Sequence, residues 1–108
     1  MGAKGKIYVV LITTSSKEEA FKISRTLVEE RLAACANIMP KITSVYRWQG
    51  KVEEAPEALI IVKTTSNAFE RLVSRVRELH SYTVPEIIAL PVEAGYRDYL
   101  NWVVESTH

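Results

Sequence analysis

The stretch Arg31–Thr65, RLAACANIMPKITSVYRWQGKVEEAPEALIIVKTT, decides the fold. A group of small residues leads into an alternating segment from Ala36 to Gln49, a turn at Gly50 and an apolar run at 58–64. Two extended runs around a glycine-containing turn predict a β-hairpin. The first arm greatly exceeds the roughly 5–6 residues of a typical strand. So long an arm exposes apolar side chains and an unpaired edge, which predicts that the hairpin pairs with other copies of the chain.

The segments around the hairpin predict one strand and one helix before it. The continuous apolar run Ile7–Ile12 is typical of a central strand buried on both faces. Ser16 and Glu19 form a capping-box pattern, so the first helix is predicted to begin there and to continue to about Ala34.

The segments after the hairpin predict a second helix, a strand and a final helix. Asn67 and Glu70 form another capping pattern, ahead of apolar residues with helical spacing at 69, 72, 73, 76 and 79. A strand at Ile87–Val92 follows, with Pro91 favouring an edge position. The order βαββαβα predicts a ferredoxin-like α+β sandwich with an antiparallel sheet, an extended β2–β3 hairpin and a C-terminal helix. The 108 residues are expected to form a single domain, 1–108.

Composition limits the partners of the chain. The net charge is only +1, which argues against nucleic acid or an anionic membrane as a partner. One cysteine allows no internal disulfide and no paired-cysteine metal motif. The N-terminal apolar run is too short for a signal peptide, and no segment reaches the ~20 apolar residues of a membrane helix. The sequence therefore predicts a cytoplasmic protein.

Several blocks of the sequence resemble the CutA family of divalent-cation tolerance proteins. The blocks are, in order, LAACANI at 32–38, SVYRWQGK at 44–51, VKT at 62–64, HSYTVPEI at 80–87 and YLNW at 99–102. The resemblance implies the same ferredoxin-like fold and a homotrimer in which the long hairpin pairs between subunits. Tyr46, Trp48 and Trp102 are the predicted trimer-interface residues. The chain departs from many members at Ser15 and Ser81, where they have proline, and at Gly95-Tyr96, where they have Gly-Asn.

His80 and Glu86 are the predicted metal ligands. Imidazole nitrogen and carboxylate oxygen suit Cu(II) or Zn(II), and the turn between the two residues can bring them together. Two ligands make a weak site, so a further donor is expected from a neighbouring chain or from water. The alternative is that His80 interacts with the carbonyl groups at the end of the second helix. Cys35 is interpreted as a small buried residue in preference to a soft metal ligand.

A second set of residues is predicted to line a cleft at the subunit boundary. Lys63 ends a buried strand and is expected to pair with Glu57 or Glu86, while Tyr82 and Tyr99 are expected to line the same cleft. No phosphate-binding loop or metalloprotease motif is present in the sequence, so no enzyme activity is predicted. The leading hypothesis is a cytoplasmic homotrimer that binds Cu(II) or another divalent metal near subunit boundaries. The alternative is a regulatory or scaffolding trimer whose clefts take a small anionic ligand or a protein partner.

Overall fold

The long hairpin supplies two strands of a four-stranded antiparallel sheet. The computed structural model describes residues 6–108; residues 1–5 of the predicted domain lie outside this range. The elements are β1 (Ile7–Thr14), α1 (Lys17–Glu29), β2 (Cys35–Trp48), β3 (Lys51–Thr65), α2 (Phe69–Leu79), β4 (Ile87–Pro91) and α3 (Arg97–Ser106). The strands lie in the order β2-β3-β1-β4, and the predicted α+β ferredoxin-like order is confirmed.

The hairpin extends well beyond the rest of the sheet. β3 pairs with β1 only from Ala58 to Thr65, so the segment 51–57 pairs with β2 alone. The second arm was predicted too short, at 58–64, because the charged residues of 51–57 are typical of a solvated turn. In the structure the backbone of these residues continues the ladder up to a two-residue turn at Gln49-Gly50, both with positive φ. The molecule is accordingly elongated, at 46 × 25 × 21 Å.

The first helix ends earlier than the sequence predicted. α1 ends at Glu29, and Arg31 has a φ of 63°. The amides of Leu32 and Ala33 then both donate to the carbonyl of Leu27, as in a helix C-terminus closed by a left-handed residue. The amide of Ala34 already donates to the carbonyl of Lys63 on β3, and β2 begins at Cys35, so the prediction that the helix continues to about Ala34 is wrong.

The Ser16 cap of α1 is confirmed, while the predicted Asn67 cap of α2 is wrong. The Ser16 hydroxyl accepts from the amide of Glu19 at 3.1 Å. The N-cap of α2 is Ala68, one position after Asn67. The amide of Ala68 donates to the hydroxyl of Thr65 at 3.3 Å, so Thr65 on β3, and not Asn67, supplies a side-chain acceptor at the start of this helix.

The core lies between the sheet and the first two helices. Fully buried side chains from β1, α1, β3 and α2 meet on one face of the sheet; they are Val10, Ile12, Ile23, Leu27, Ile60, Val62, Leu72 and Val76. β1 is central as predicted, but its buried residues alternate from Val10 to Thr14, and on the other face only Ile7, at its start, is buried. α3 packs Val103 against Ile7 and Ala34 at one end of the other face. No helix within residues 6–108 has the length and apolar character needed to cross a membrane.

Ser24 is the one position in the described core where a hydroxyl lies buried without a hydrogen-bond partner. We expect Ser24→Ala to raise the free energy of unfolding by about 1 kcal/mol, because it removes an unsatisfied polar group and improves helix propensity. Urea unfolding measures the change. Ser74→Ala, at an exposed position of α2, is the matched control for propensity alone and is expected to give at most about 0.5 kcal/mol. Equal gains in both variants would contradict a cost of burying the Ser24 hydroxyl.

Candidate functional site

His80 lies at the end of α2 with its side chain fully buried. Its Nε2 is 2.7 Å from the carbonyl oxygen of Thr13, and its Nδ1 is 3.0 Å from the backbone nitrogen of Tyr82. A carbonyl oxygen only accepts and an amide only donates, so Nε2 holds the hydrogen and Nδ1 accepts with its lone pair. Both ring nitrogens are therefore occupied by the chain itself. The carbonyl that His80 meets belongs to β1, and not to the end of its own helix as the sequence-based alternative proposed.

Glu19 on α1 holds the loop that follows His80. Its carboxylate accepts from the amide and hydroxyl of Ser81, at 2.7 and 3.2 Å, and from the amide and hydroxyl of Ser15, at 3.1 and 2.8 Å. Burial alone would raise the pKa of Glu19, but the hydrogen bonds from Ser81 and Ser15 outweigh it and the pKa lies below its usual value. Proline at position 15 or 81 would lack the amide hydrogen that each serine donates here.

Tyr82 joins the same loop to the hairpin. Its hydroxyl donates to the carboxylate of Glu57 on β3 at 2.6 Å, and its ring lies 4.8 Å from that of His80. Burial, and then the hydrogen bond to Glu57, raise the pKa of Tyr82 well above its ordinary value. Glu57 is thus occupied by Tyr82 and not by Lys63, with which it was predicted to pair.

Glu86 is the member of the predicted metal pair that remains accessible. It is exposed, and its carboxylate has one long contact, 3.5 Å from the hydroxyl of Thr13. No group of three or more histidine, cysteine, aspartate or glutamate side chains within residues 6–108 is arranged to hold a metal ion. With both nitrogens of His80 occupied, residues 6–108 of a single chain do not offer a fitting set of ligands. The metal pair stays a prediction, and it requires further donors.

A separate polar cluster lies where β2 begins. Lys63 donates from its ammonium to the side-chain oxygen of Asn37, and the thiol of Cys35 is 3.9 Å from that same oxygen. The hydroxyl of Tyr99 on α3 is 3.7 Å from the Cys35 sulfur. Lys63 and Tyr99 are thus linked through Asn37 and Cys35, while Tyr82 lies with His80 and Glu57. The assignment of Lys63, Tyr82 and Tyr99 to one cleft at a subunit boundary stays a prediction.

The predicted trimer-interface residues are all partly open to solvent. Tyr46 is 40%, Trp48 57% and Trp102 43% exposed. Tyr46 lies opposite Glu53 and Trp48 opposite Lys51 on the two arms of the hairpin. Aromatic side chains with this exposure are enriched at protein interfaces, so their assignment to a trimer interface stays a prediction.

Sequence reasoning missed two residues of these clusters and one surface feature. Glu19 was recognised only as a helix-capping residue, although the carboxylate of a capping box is a signal for further amide contacts. Asn37 gave no signal, because its partner Lys63 is 26 positions away. A depression of about 450 Å³ lies beside the His80 loop, lined by Ser74, Arg77, Glu78, Tyr82, Thr83 and Pro85. Tyr82 is the predicted site residue that it contains.

Glu19→Gln tests whether the charged carboxylate of Glu19 holds the loop after His80. The test is the pH dependence of the free energy of unfolding. The folded-state pKa lies below the 4.5 of an unperturbed glutamate, so the ionised carboxylate stabilises the fold above about pH 4.5, and this contribution disappears as the pH falls below that value. At pH 7 we expect Glu19→Gln to lower the free energy of unfolding by about 1–2 kcal/mol, because hydrogen bonds to a charged acceptor are lost. The difference from the unchanged protein is expected to shrink in urea titrations repeated towards pH 3. Glu18→Gln, at an exposed neighbouring position, is the control; a pH-independent difference would contradict the role of the Glu19 charge.

Known proteins similar to this chain share both its sequence and its fold. The family model described as CutA1 divalent ion tolerance protein matches residues 8–106. The divalent-cation tolerance protein CutA of Thermus thermophilus is 60% identical over 99 residues, covering 92% of this chain and 96% of that protein. The mouse protein CutA is 46% identical over 103 residues, which cover 95% of this chain but 58% of the mouse protein.

Solved structures give the same result. A divalent cation tolerance protein from Thermus thermophilus matches with a TM-score of 0.93 at 58% identity, covering 94% of this chain and 99% of that one. A CutA from Archaeoglobus fulgidus, described as a periplasmic divalent cation tolerance protein, matches with a TM-score of 0.90 at 43% identity, covering 93% and 97%. The family match spans most of the chain and agrees with the observed order of elements. The chain therefore belongs to the CutA1 family of divalent-ion tolerance proteins.

Proposed function

We propose that this chain acts as a cytoplasmic, non-catalytic homotrimer that binds divalent metal, above all Cu(II), near the boundaries between its copies. The observation behind the proposal is the hairpin. Among the described residues, segment 51–57 of β3 has no neighbour on its outer edge, and the apolar side chains around it are exposed. Soluble proteins cover such edges, and a second copy of the same chain offers a complementary one. The family description supports the relation to divalent ions.

The contacts of the predicted metal pair favour a site shared between chains. Glu86 offers an exposed carboxylate with little internal hydrogen bonding. His80 joins a metal only if it gives up its bonds to Thr13 and Tyr82. We therefore expect Glu86 to be the ligand that this chain contributes, with the remaining donors coming from a neighbouring subunit and water.

Calorimetric titration with Cu(II) tests this assignment. Every protein in the test has His108 replaced by glutamine, because an exposed terminal imidazole binds copper on its own. We expect Glu86→Gln to weaken Cu(II) binding at least about tenfold, since loss of a ligand costs no less than loss of a residue that orients one. His80→Gln is expected to leave the affinity unchanged. A loss in His80→Gln equal to that in Glu86→Gln would instead establish the imidazole as a ligand, and unchanged binding in both would remove this site from the proposal.

One observation favours the alternative function, a scaffolding trimer with a small anionic ligand in its clefts. Lys63 lies half-buried on the sheet, and no ion pair found within residues 6–108 includes it. A thermal-shift comparison of Cu(II) with small anions separates the two functions, because a ligand that binds only the folded state raises the melting temperature.

A further inference from the structure

One face of the sheet is left largely uncovered by residues 6–108. The first two helices pack on the opposite face, and α3 covers only the end near Ile7. The uncovered face is mainly apolar, with Met39, Ile88 and Leu90 each about half exposed, at 48%, 50% and 52%. In the trimer proposed above, neighbouring copies are the available cover for this face.

Lys63 is a positive charge set into this apolar face. Its cross-strand neighbours are Val9 on β1 and Cys35 on β2. An ammonium group has three hydrogen-bond donors, and the side chain of Asn37 accepts one of them. No carboxylate forms an ion pair with Lys63 within the described residues. Covering the face removes water from this charge, and a desolvated cation is strongly destabilising unless an anion accompanies it.

Further hydrogen-bond donors lie next to the ammonium group. The thiol of Cys35 approaches the same oxygen of Asn37 that Lys63 contacts, and the hydroxyl of Tyr99 approaches the thiol. Burial, followed by the contact with Cys35, raises the pKa of the Tyr99 hydroxyl, so it keeps its hydrogen at neutral pH. The ammonium, the thiol and the phenol thus form one continuous cluster that presents donors and a positive charge.

We propose that the cluster of Cys35, Asn37, Lys63 and Tyr99 binds the oxyanion group, carboxylate or phosphate, of a small ligand. Lys63 supplies the charge, and the Lys63 ammonium and the Tyr99 hydroxyl donate to the oxyanion oxygens, as in other charge-assisted contacts. The positive charge of Lys63 disfavours a divalent cation at the same place, so this site is distinct from the one that includes Glu86. The proposal rests on the trimer proposed above, because the other copies supply the cover that makes the anion necessary.

Titration calorimetry with inorganic phosphate and, separately, with acetate tests the proposal at constant ionic strength, with light scattering on the same samples to report the oligomer. We expect one of the two anions to bind saturably, at one site per chain. Lys63→Met is expected to weaken that binding about tenfold or more, because it removes hydrogen bonds to a charged group. Tyr99→Phe, which keeps the packing of the ring, is expected to weaken it less. Lys22→Met, at an exposed position of α1, is the matched control and is expected to leave it unchanged.

The outcomes separate this proposal from the trimer. A trimer that binds neither anion overturns the anion site but supports the proposed assembly. In that case a carboxylate of a partner subunit forms an ion pair with Lys63, and Lys63→Met weakens the trimer. Anion binding that Lys63→Met and Lys22→Met reduce equally also overturns the site. A monomer in light scattering overturns the proposed assembly itself. Binding of phosphate but not acetate, lost in Lys63→Met alone, supports the site and identifies the ligand as a phosphate.

Discussion

The double variant Tyr46→Lys, Trp48→Glu is expected to turn the proposed trimer into monomers. The two aromatic side chains are 40% and 57% exposed within one chain, so they contribute little to its core. Aromatic residues buried between subunits often contribute about 2 kcal/mol or more each to the free energy of association. In the double variant each interface loses two aromatic side chains and gains two charged ones. We expect light scattering to report 12.2 kDa in place of three times that mass.

The new charges are chosen to leave the hairpin itself intact. Lys at position 46 lies opposite Glu53, and Glu at position 48 lies opposite Lys51, so each meets an opposite charge across the strands. Phe21→Lys is the control, since it removes an apolar side chain that is 61% exposed and belongs to α1 instead of the hairpin. The proposed interface is contradicted if the double variant remains trimeric, or if Phe21→Lys dissociates the trimer as readily.

His80→Leu is expected to lower the free energy of unfolding by about 2–4 kcal/mol. The substitution leaves the carbonyl of Thr13 and the amide of Tyr82 without their partner, and each unsatisfied buried group costs roughly 1–3 kcal/mol. Urea unfolding measures the loss. Hydrogen exchange at the Tyr82 amide is expected to accelerate in the same variant, because that amide donates to the ring.

His80→Gln is the matched control for the two bonds. A glutamine amide can still donate to the Thr13 carbonyl but leaves the Tyr82 amide without its ring acceptor, so an intermediate loss is expected. If His80→Leu is as stable as the unchanged protein, the imidazole does not hold the loop. It is then free to act as a metal ligand, and the Cu(II) titration of His80→Gln would be expected to show it.

The sequence predicted the fold well because its periodic signals are local. The helical spacing from Phe69 to Leu79 follows from which side chains meet the core, and the structure confirms it. The alternation predicted along β2 is found only in part, because the register shifts between Met39 and Ile42 and the residues from Val45 to Trp48 are all exposed. The end of α1 was misjudged because the apolar spacing continues through Leu32. The left-handed conformation of Arg31 stops the helix, and arginine gives no local signal for that conformation.

The candidate site was predicted in its parts but not in its pairings. His80, Glu57, Tyr82 and Lys63 were all singled out, yet which of them touch depends on how α1, β3 and the His80 loop pack together. The bond between Tyr82 and Glu57 spans 25 positions, and that between Ser81 and Glu19 spans 62. Residue type alone does not distinguish a glutamate that pairs with lysine from one that accepts a tyrosine hydroxyl.

The position of β1 in the middle of the sheet has a consequence for how the protein is made. β1 leaves the ribosome before both of its neighbours: β3 supplies its paired segment only at 58–65, and β4 only at 87–91. Both hydrogen-bonding edges of the apolar strand β1 therefore stay unpaired until more than half of the described chain has been synthesised. Truncated translation products that end before residue 87 are expected to aggregate, because β1 lacks its β4 neighbour in all of them and, in those that also end before residue 58, its β3 neighbour as well.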